Sequence, residues 1–285
     1  MQGRLISIIA AAALLAGCSE SLPPPLSVPP PTSLGGRFDA AKSGNIAADV
    51  VWVGPLPSAA PFRSVPEPFD DQPPPPARDY ANPNVPSIDN ASRGVGSAVV
   101  YLRKVDPERS RPWDHSPVRV ELHDQRIDVM QGETRRCAGF VRTGDEVEFV
   151  SRDRRYHSIQ GRGAAFFARA LPNLDQGHSR RLATPGVVEL QSGAGYFWMR
   201  GYLFVADHPY HAHGDARGRF LLKGVPAGEY EVVAWHPDWR VAETRYNPDS
   251  ARIMQVRYRK PLEASRRVVV EPGETAETRL ELSGR

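Results

Sequence analysis

An all-β chain, with two β units behind a proline-rich tether, is what the sequence predicts, on three observations. Short runs of alternating apolar residues recur from residue 97 to the end, separated by Gly, Pro, Asn and Asp. No long amphipathic helical pattern interrupts them, and only Ala164 to Ala170 has room for a short helix. The 28 prolines are nearly twice ordinary usage and crowd into the first hundred residues. A chain of 285 residues holds one large domain or two ordinary ones.

The amino-terminus reads as a targeting segment. Met1 to Arg4 is a short basic leader, and Leu5 to Gly17 is an apolar run too short to span a bilayer. It ends in Leu15-Ala16-Gly17-Cys18, which fits the bacterial lipobox, so residues 1–17 are expected to be removed as a signal peptide. The Cys18 thiol would then carry diacylglycerol and anchor the chain to a membrane. Ser19, where an inner-membrane retention signal has Asp, favours the outer membrane, with the protein facing the periplasm or the cell surface. Residues 18–43 hold two triple-proline runs and cannot bury a core, so they are expected to form a disordered, extended tether.

Order is expected to begin in Asn45 to Val53, where Ile46, Ala48, Val50 and Trp52 alternate as on a half-buried strand. Residues 55–95 return to Pro, Asp, Asn and Ser and read as a long surface excursion or a disordered insert. Strands follow at Ser97–Leu102, Val118–Leu122, Glu146–Val150, Gly186–Leu190 and Tyr202–Val205. This spacing argues for a β-sandwich or barrel. A second β unit contains strands at Gly218–Leu222 and Glu229–Trp235, flanking a Pro/Gly turn, and a last pair at Ser265–Glu271 and Ala276–Leu282. Between that pair, Glu271-Pro-Gly-Glu274 has the residues a type II turn needs.

Charge and motifs exclude several function classes. A net charge of +3 implies no polyanionic partner, and the arginines are scattered without interleaved aromatics, so no nucleic acid is expected. There is no nucleophile elbow, no His-Glu-x-x-His and no phosphate-binding glycine loop, so no catalytic residue is assigned. Beyond Cys18 the only thiol is Cys137, which leaves no intramolecular disulfide. Arg135 and Arg136 beside it would make it reactive if exposed; buried, it packs as a small apolar residue.

The run from Ala98-Val-Val-Tyr through Phe149 and His157, then Thr184-Pro-Gly-Val-Val, Trp198-Met199 and Asp207-His-Pro-Tyr210, resembles bacterial plastocyanin-like cupredoxin domains. Gly218-Arg-Phe, Val225-Pro-Ala-Gly-Glu-Tyr and Val233-Ala-Trp-His236 resemble the carboxypeptidase regulatory-like domain, of transthyretin type, that often follows. The resemblance implies a cupredoxin-like sandwich over residues 44–210, with 55–95 inserted and the Asn45 strand as its first. It implies a smaller transthyretin- or Ig-like sandwich over 211–285.

It also implies a copper loop at Gln191 to Gly201, which this chain has altered. A blue-copper site takes two imidazoles and a thiolate, with a weak axial thioether. Of those positions His157 and Met199 remain, while Gly193 stands at the thiolate position and Tyr196 at the second imidazole. Glycine offers no donor atom, so no metal cofactor is expected there. Tyr196, Phe197 and Trp198 would refill the space, or Tyr196 and Trp198 would dock a partner. His208, His211 and His213 form the densest set of donors and a possible weak metal site, although His208-Pro-Tyr also belongs to the family pattern. The expectation is a lipid-anchored envelope protein, binding or structural and not an enzyme, with an envelope protein or polysaccharide as partner. The alternatives are a copper electron-transfer protein and a carbohydrate-binding module.

Overall fold

A computed structural model describes residues 38–63, 79–249 and 253–284, all within one compact unit. Cys18, the signal segment and nearly all of the tether lie outside the described residues. In chain order the strands are β1 (Ser43–Val53), β2 (Phe62–Arg63), β3 (Asp79–Tyr80), β4 (Val99–Arg103), β5 (Val118–His123), β6 (Arg126–Gln131) and β7 (Thr134–Arg136). Next come β8 (Ala138–Arg142), β9 (Glu146–Ser151), β10 (His157–Gly163), β11 (Phe167–Leu171), β12 (His178–Arg181), β13 (Gly186–Ser192) and β14 (Arg200–Ala206). The last are β15 (His211–His213), β16 (Arg219–Pro226), β17 (Gly228–His236), β18 (Val241–Tyr246), β19 (Ile253–Tyr258), β20 (Leu262–Val270) and β21 (Thr275–Ser283). The fold is all-β, and Ala164–Ala170, which had room for a short helix, instead leads into β11, an edge strand on β10.

Two sandwiches result. In the first, sheet β11-β10-β13-β14-β8 faces sheet β12-β9-β5-β6-β7. Their shared core holds Val120, Leu122, Val129, Phe149, Ile159, Leu190, Met199 and Leu203. In the second, sheet β16-β1-β21 faces sheet β15-β4-β17-β20 over Ile46, Val50, Val100, Leu102, Phe220, Val232 and Leu280. Inward-facing residues alternate along each strand, as a half-buried pleat requires.

The connectivity corrects the expected division at residue 210. The β1 strand, expected to open the first sandwich, pairs with β16 on one side and in parallel with β21 on the other. Likewise β4 pairs with β15 and β17. The first sandwich, β5 to β14, is therefore inserted between strands β4 and β15 of the second. Part of the expected excursion is packed as well. Asn84 is buried, Val85 and Ile88 rest on the second core, and Val95 is fully buried and bridged to Ile88.

The two sandwiches join through a third apolar cluster. Ala138, Phe140, Tyr202 and Phe204 on the outer face of β8 and β14 meet Val99 and Trp235 on the outer face of β4 and β17. All seven residues of β14 are consequently buried: Leu203 and Val205 enter the first core while Tyr202 and Phe204 enter the junction. A strand covered on both faces reads as a continuous apolar run. Arg200 adds a polar tie, donating to Glu189 at 2.8 Å and to the Asp238 carbonyl at 2.8 Å.

Candidate functional site

The altered loop lies at one end of the first sandwich. Asp153 and His157 flank the turn into β10, and His157 Nε2–H donates to Asp153 Oδ1 at 2.8 Å. Burial pushes the Asp153 carboxyl up. Hydrogen bonds from the Arg155 N–H, from His157 and from the Asp124 N–H outweigh it and hold the carboxyl below its ordinary value. This bond fixes the orientation of the imidazole, with Nε2 toward the carboxylate. The His157 ring is fully buried and its Nδ1 has no partner.

Met199 is also fully buried, but the remaining positions do not complete a copper set. Gly193 is exposed, and its N–H donates to the Ser158 carbonyl at 2.7 Å. A Cβ on Gly193 would come within 2.6 Å of Ser158 Oγ and 3.2 Å of Gln160 Nε2. A side chain there would have to move the Ser158 hydroxyl. Cys137 packs against the junction cluster, whereas Met199 lies in the first core. Cys137 is half-buried, and desolvation pushes its thiol pKa up, which favours the packing reading over the reactive one raised by Arg135 and Arg136.

The loop end is covered. Trp198 is 7% exposed; its Nε1–H donates to the Gln125 carbonyl at 3.1 Å, and Phe62 stacks on it at 5.7 Å. Tyr258 of β19 donates its hydroxyl hydrogen to the Phe197 carbonyl at 2.9 Å, with the Arg200 guanidinium 3.8 Å over its ring. Trp198 is therefore a packing residue and not the docking surface that was one expectation for it. Tyr196 is half-buried, edge-on to Trp198 at 5.7 Å.

The histidine-rich segment lies at the junction of the sandwiches, away from this loop. His208 and His211 stack face to face, 5.1 Å apart and 18° from parallel, and Tyr101 stacks on His211 at 5.7 Å. His213 stacks on Phe140 at 4.5 Å. Imidazole lone pairs lie in the ring plane, so stacked rings do not aim them at one point. Among the described residues no three His, Cys, Asp or Glu side chains gather in a metal-binding group, and the weak site considered for His208, His211 and His213 does not form. Burial lowers the pKa of His208 and His213 to about 4 and that of His211 well below its ordinary value, so all three are neutral.

Sequence reasoning missed Asp153, Phe140 and Tyr101. Asp153 carried a signal, a carboxylate four residues before the candidate ligand. The other two become site residues only because β4 and β8 meet across the junction.

No family model matches this chain, and no curated protein matches it. Among solved structures, one reduced amicyanin mutant is 20% identical over 32% of this chain and 83% of its own, with a TM-score of 0.26. An oxidised amicyanin mutant is 14% identical over 38% of this chain and 98% of its own, with a TM-score of 0.25. A mutant of the same protein in its Cu(I) form is 17% identical over 38% and 98%, with a TM-score of 0.26.

Proposed function

We propose that this chain is a lipid-anchored envelope protein that binds or braces a partner through a cupredoxin-like sandwich without a type 1 copper site. The observation that carries this reading is Gly193, whose missing Cβ would sit 2.6 Å from Ser158 Oγ where a copper protein needs a thiolate. The donors left, His157 Nδ1 and the Met199 thioether, are one imidazole and one weak ligand. Cys18 supplies the anchor, in the outer membrane facing the periplasm or the cell surface, and the partner is an envelope protein or polysaccharide. The second sandwich is of the carboxypeptidase regulatory-like kind and serves as the frame into which the first is inserted. No enzymatic role is proposed.

The test has two arms. Cys18→Ser should remove the lipid and release the protein from the membrane fraction; retention with lipid attached overturns the anchor. Added Cu(II) should give no intense thiolate-to-copper band in the red. Such a band would overturn the reading of Gly193.

A further inference from the structure

The most exposed large apolar side chain among the described residues is Phe166, 82% open to solvent at the tip of the β10–β11 hairpin. The turn that carries it is anchored. Ala164 and Ala165 pack on the first core, and the Ala164 N–H donates to the Val187 carbonyl at 3.0 Å.

Around this ring the fold gathers arginines that the sequence scatters. β11 and β12 are edge strands of the two facing sheets and adjoin, with the Arg180 guanidinium 4.7 Å over the Phe167 ring. They carry Arg169, Arg180 and Arg181, all exposed, and Arg162 precedes the turn on β10. Neighbouring carboxylates are already engaged: Glu148 by Arg119, Glu189 by Arg200 and Asp145 by Arg142. Glu146, opposite Arg181 in the register, is left against these arginines. Charges on edge strands block stray pairing, which accounts for arginines but not for an aromatic ring held out among them. An apolar tip among cations suits the boundary of an anionic bilayer.

We infer that the Phe166 tip inserts into an anionic lipid surface, its ring below the headgroups and the arginines against their phosphates. The contact rests on the Cys18 anchor for its strength. A tether from Cys18 to Phe38 reaches at most about 70 Å. The folded part therefore stays near the bilayer, and a weak contact is enough. A chain of neighbours also links the tip to the tether exit. A Cβ on Gly186 would lie 3.0 Å from that of Ala164, and Gly186 shares the junction cleft with Asp207 and His208. Beyond them the Tyr210 hydroxyl donates to the Gly224 carbonyl at 2.8 Å, and Phe38 lies against Gly224.

The experiment places the full-length lipoprotein on excess vesicles, containing phosphatidylglycerol or made of phosphatidylcholine alone, and follows amide hydrogen exchange. The Ala165 and Phe166 amides should exchange roughly tenfold slower on the anionic vesicles. Phe166→Ser should abolish that difference with an unchanged melting temperature, since the ring is exposed. Replacing Arg169 and Arg181 together by Gln should shrink it. Equal exchange on both vesicles, or a difference that survives Phe166→Ser, would overturn the assignment. So would slowing by inorganic phosphate alone, which would mean a free-anion site. Slowing that grows with protein density on neutral vesicles would mean a second copy of the chain, and would also overturn it. Mass spectrometry reads the Cys18 lipid separately. A lipidated chain that shows no difference loses the hairpin contact and keeps its anchor. A chain without lipid loses the anchor, and the vesicle comparison still decides the contact.

Discussion

Tyr202 on β14 and Trp235 on β17 meet edge to face with ring centroids 4.8 Å apart, one residue from each sandwich. The contact sits at the centre of the apolar junction, yet the Tyr202 hydroxyl within it has no hydrogen-bond partner, and burial pushes its pKa well above 10. The ring serves packing, and the hydroxyl is carried at a cost.

Tyr202→Phe is therefore expected to leave stability unchanged or raise it by about 1 kcal/mol, by removing an unsatisfied buried group. Trp235→Ala should cost about 3–5 kcal/mol, the usual range for a core aromatic. Chemical denaturation of both variants checks the pair. A destabilised Tyr202→Phe would mean that the hydroxyl does have a partner.

Acid should weaken the junction. His208, His213 and His236 are held neutral by burial, with pKa values lowered to about 4, whereas the unfolded chain protonates them near 6.5. Between those values the unfolded state binds more protons, so the histidine contribution to stability is lost as pH drops from about 6.5 to 4; below that, protonation of Asp153, held below its ordinary value, continues the decline. A single fully buried imidazole shifted this far accounts for about 3 kcal/mol, and His236 fits that description best. Melting temperature measured across this window should decline steadily with acid. A flat profile would mean that these rings reach solvent in the folded state.

At the loop end, Trp198→Ala should cost about 3–5 kcal/mol, since it removes a buried ring packed on Phe62 and Tyr196. Tyr196→Ala, at a half-buried position, should cost clearly less. If envelope pull-down weakens in Tyr196→Ala while stability holds, the loop is a docking surface. If stability and pull-down are both unchanged, the loop has no binding role.

Much of the strand pattern was legible because the pleat writes itself into the sequence. Ile46, Ala48, Val50 and Trp52 mark one face of β1, and all four lie in the second core. The turn at Glu271 to Glu274 was equally readable. Gly273 takes a φ of +76°, and the Glu274 N–H returns to the Glu271 carbonyl at 3.3 Å. That Gly193 has no donor atom and that Tyr196 stands where an imidazole would needed no coordinates.

What the sequence alone determined is local: which residues extend, where the chain turns and which side chains lack a donor atom. Partnership across the chain came only with tertiary structure. Alternation shows that β1 has a buried face but not which strands flank it, and Val51 pairs with Glu281 at the far end of the chain. The same holds for the histidines. Their spacing suggested converging ligands, but β4 and β8 bring Tyr101 and Phe140 against them, and the rings stack instead. Burial that depends on a second sandwich, folded around the first, leaves no period in the segment it covers.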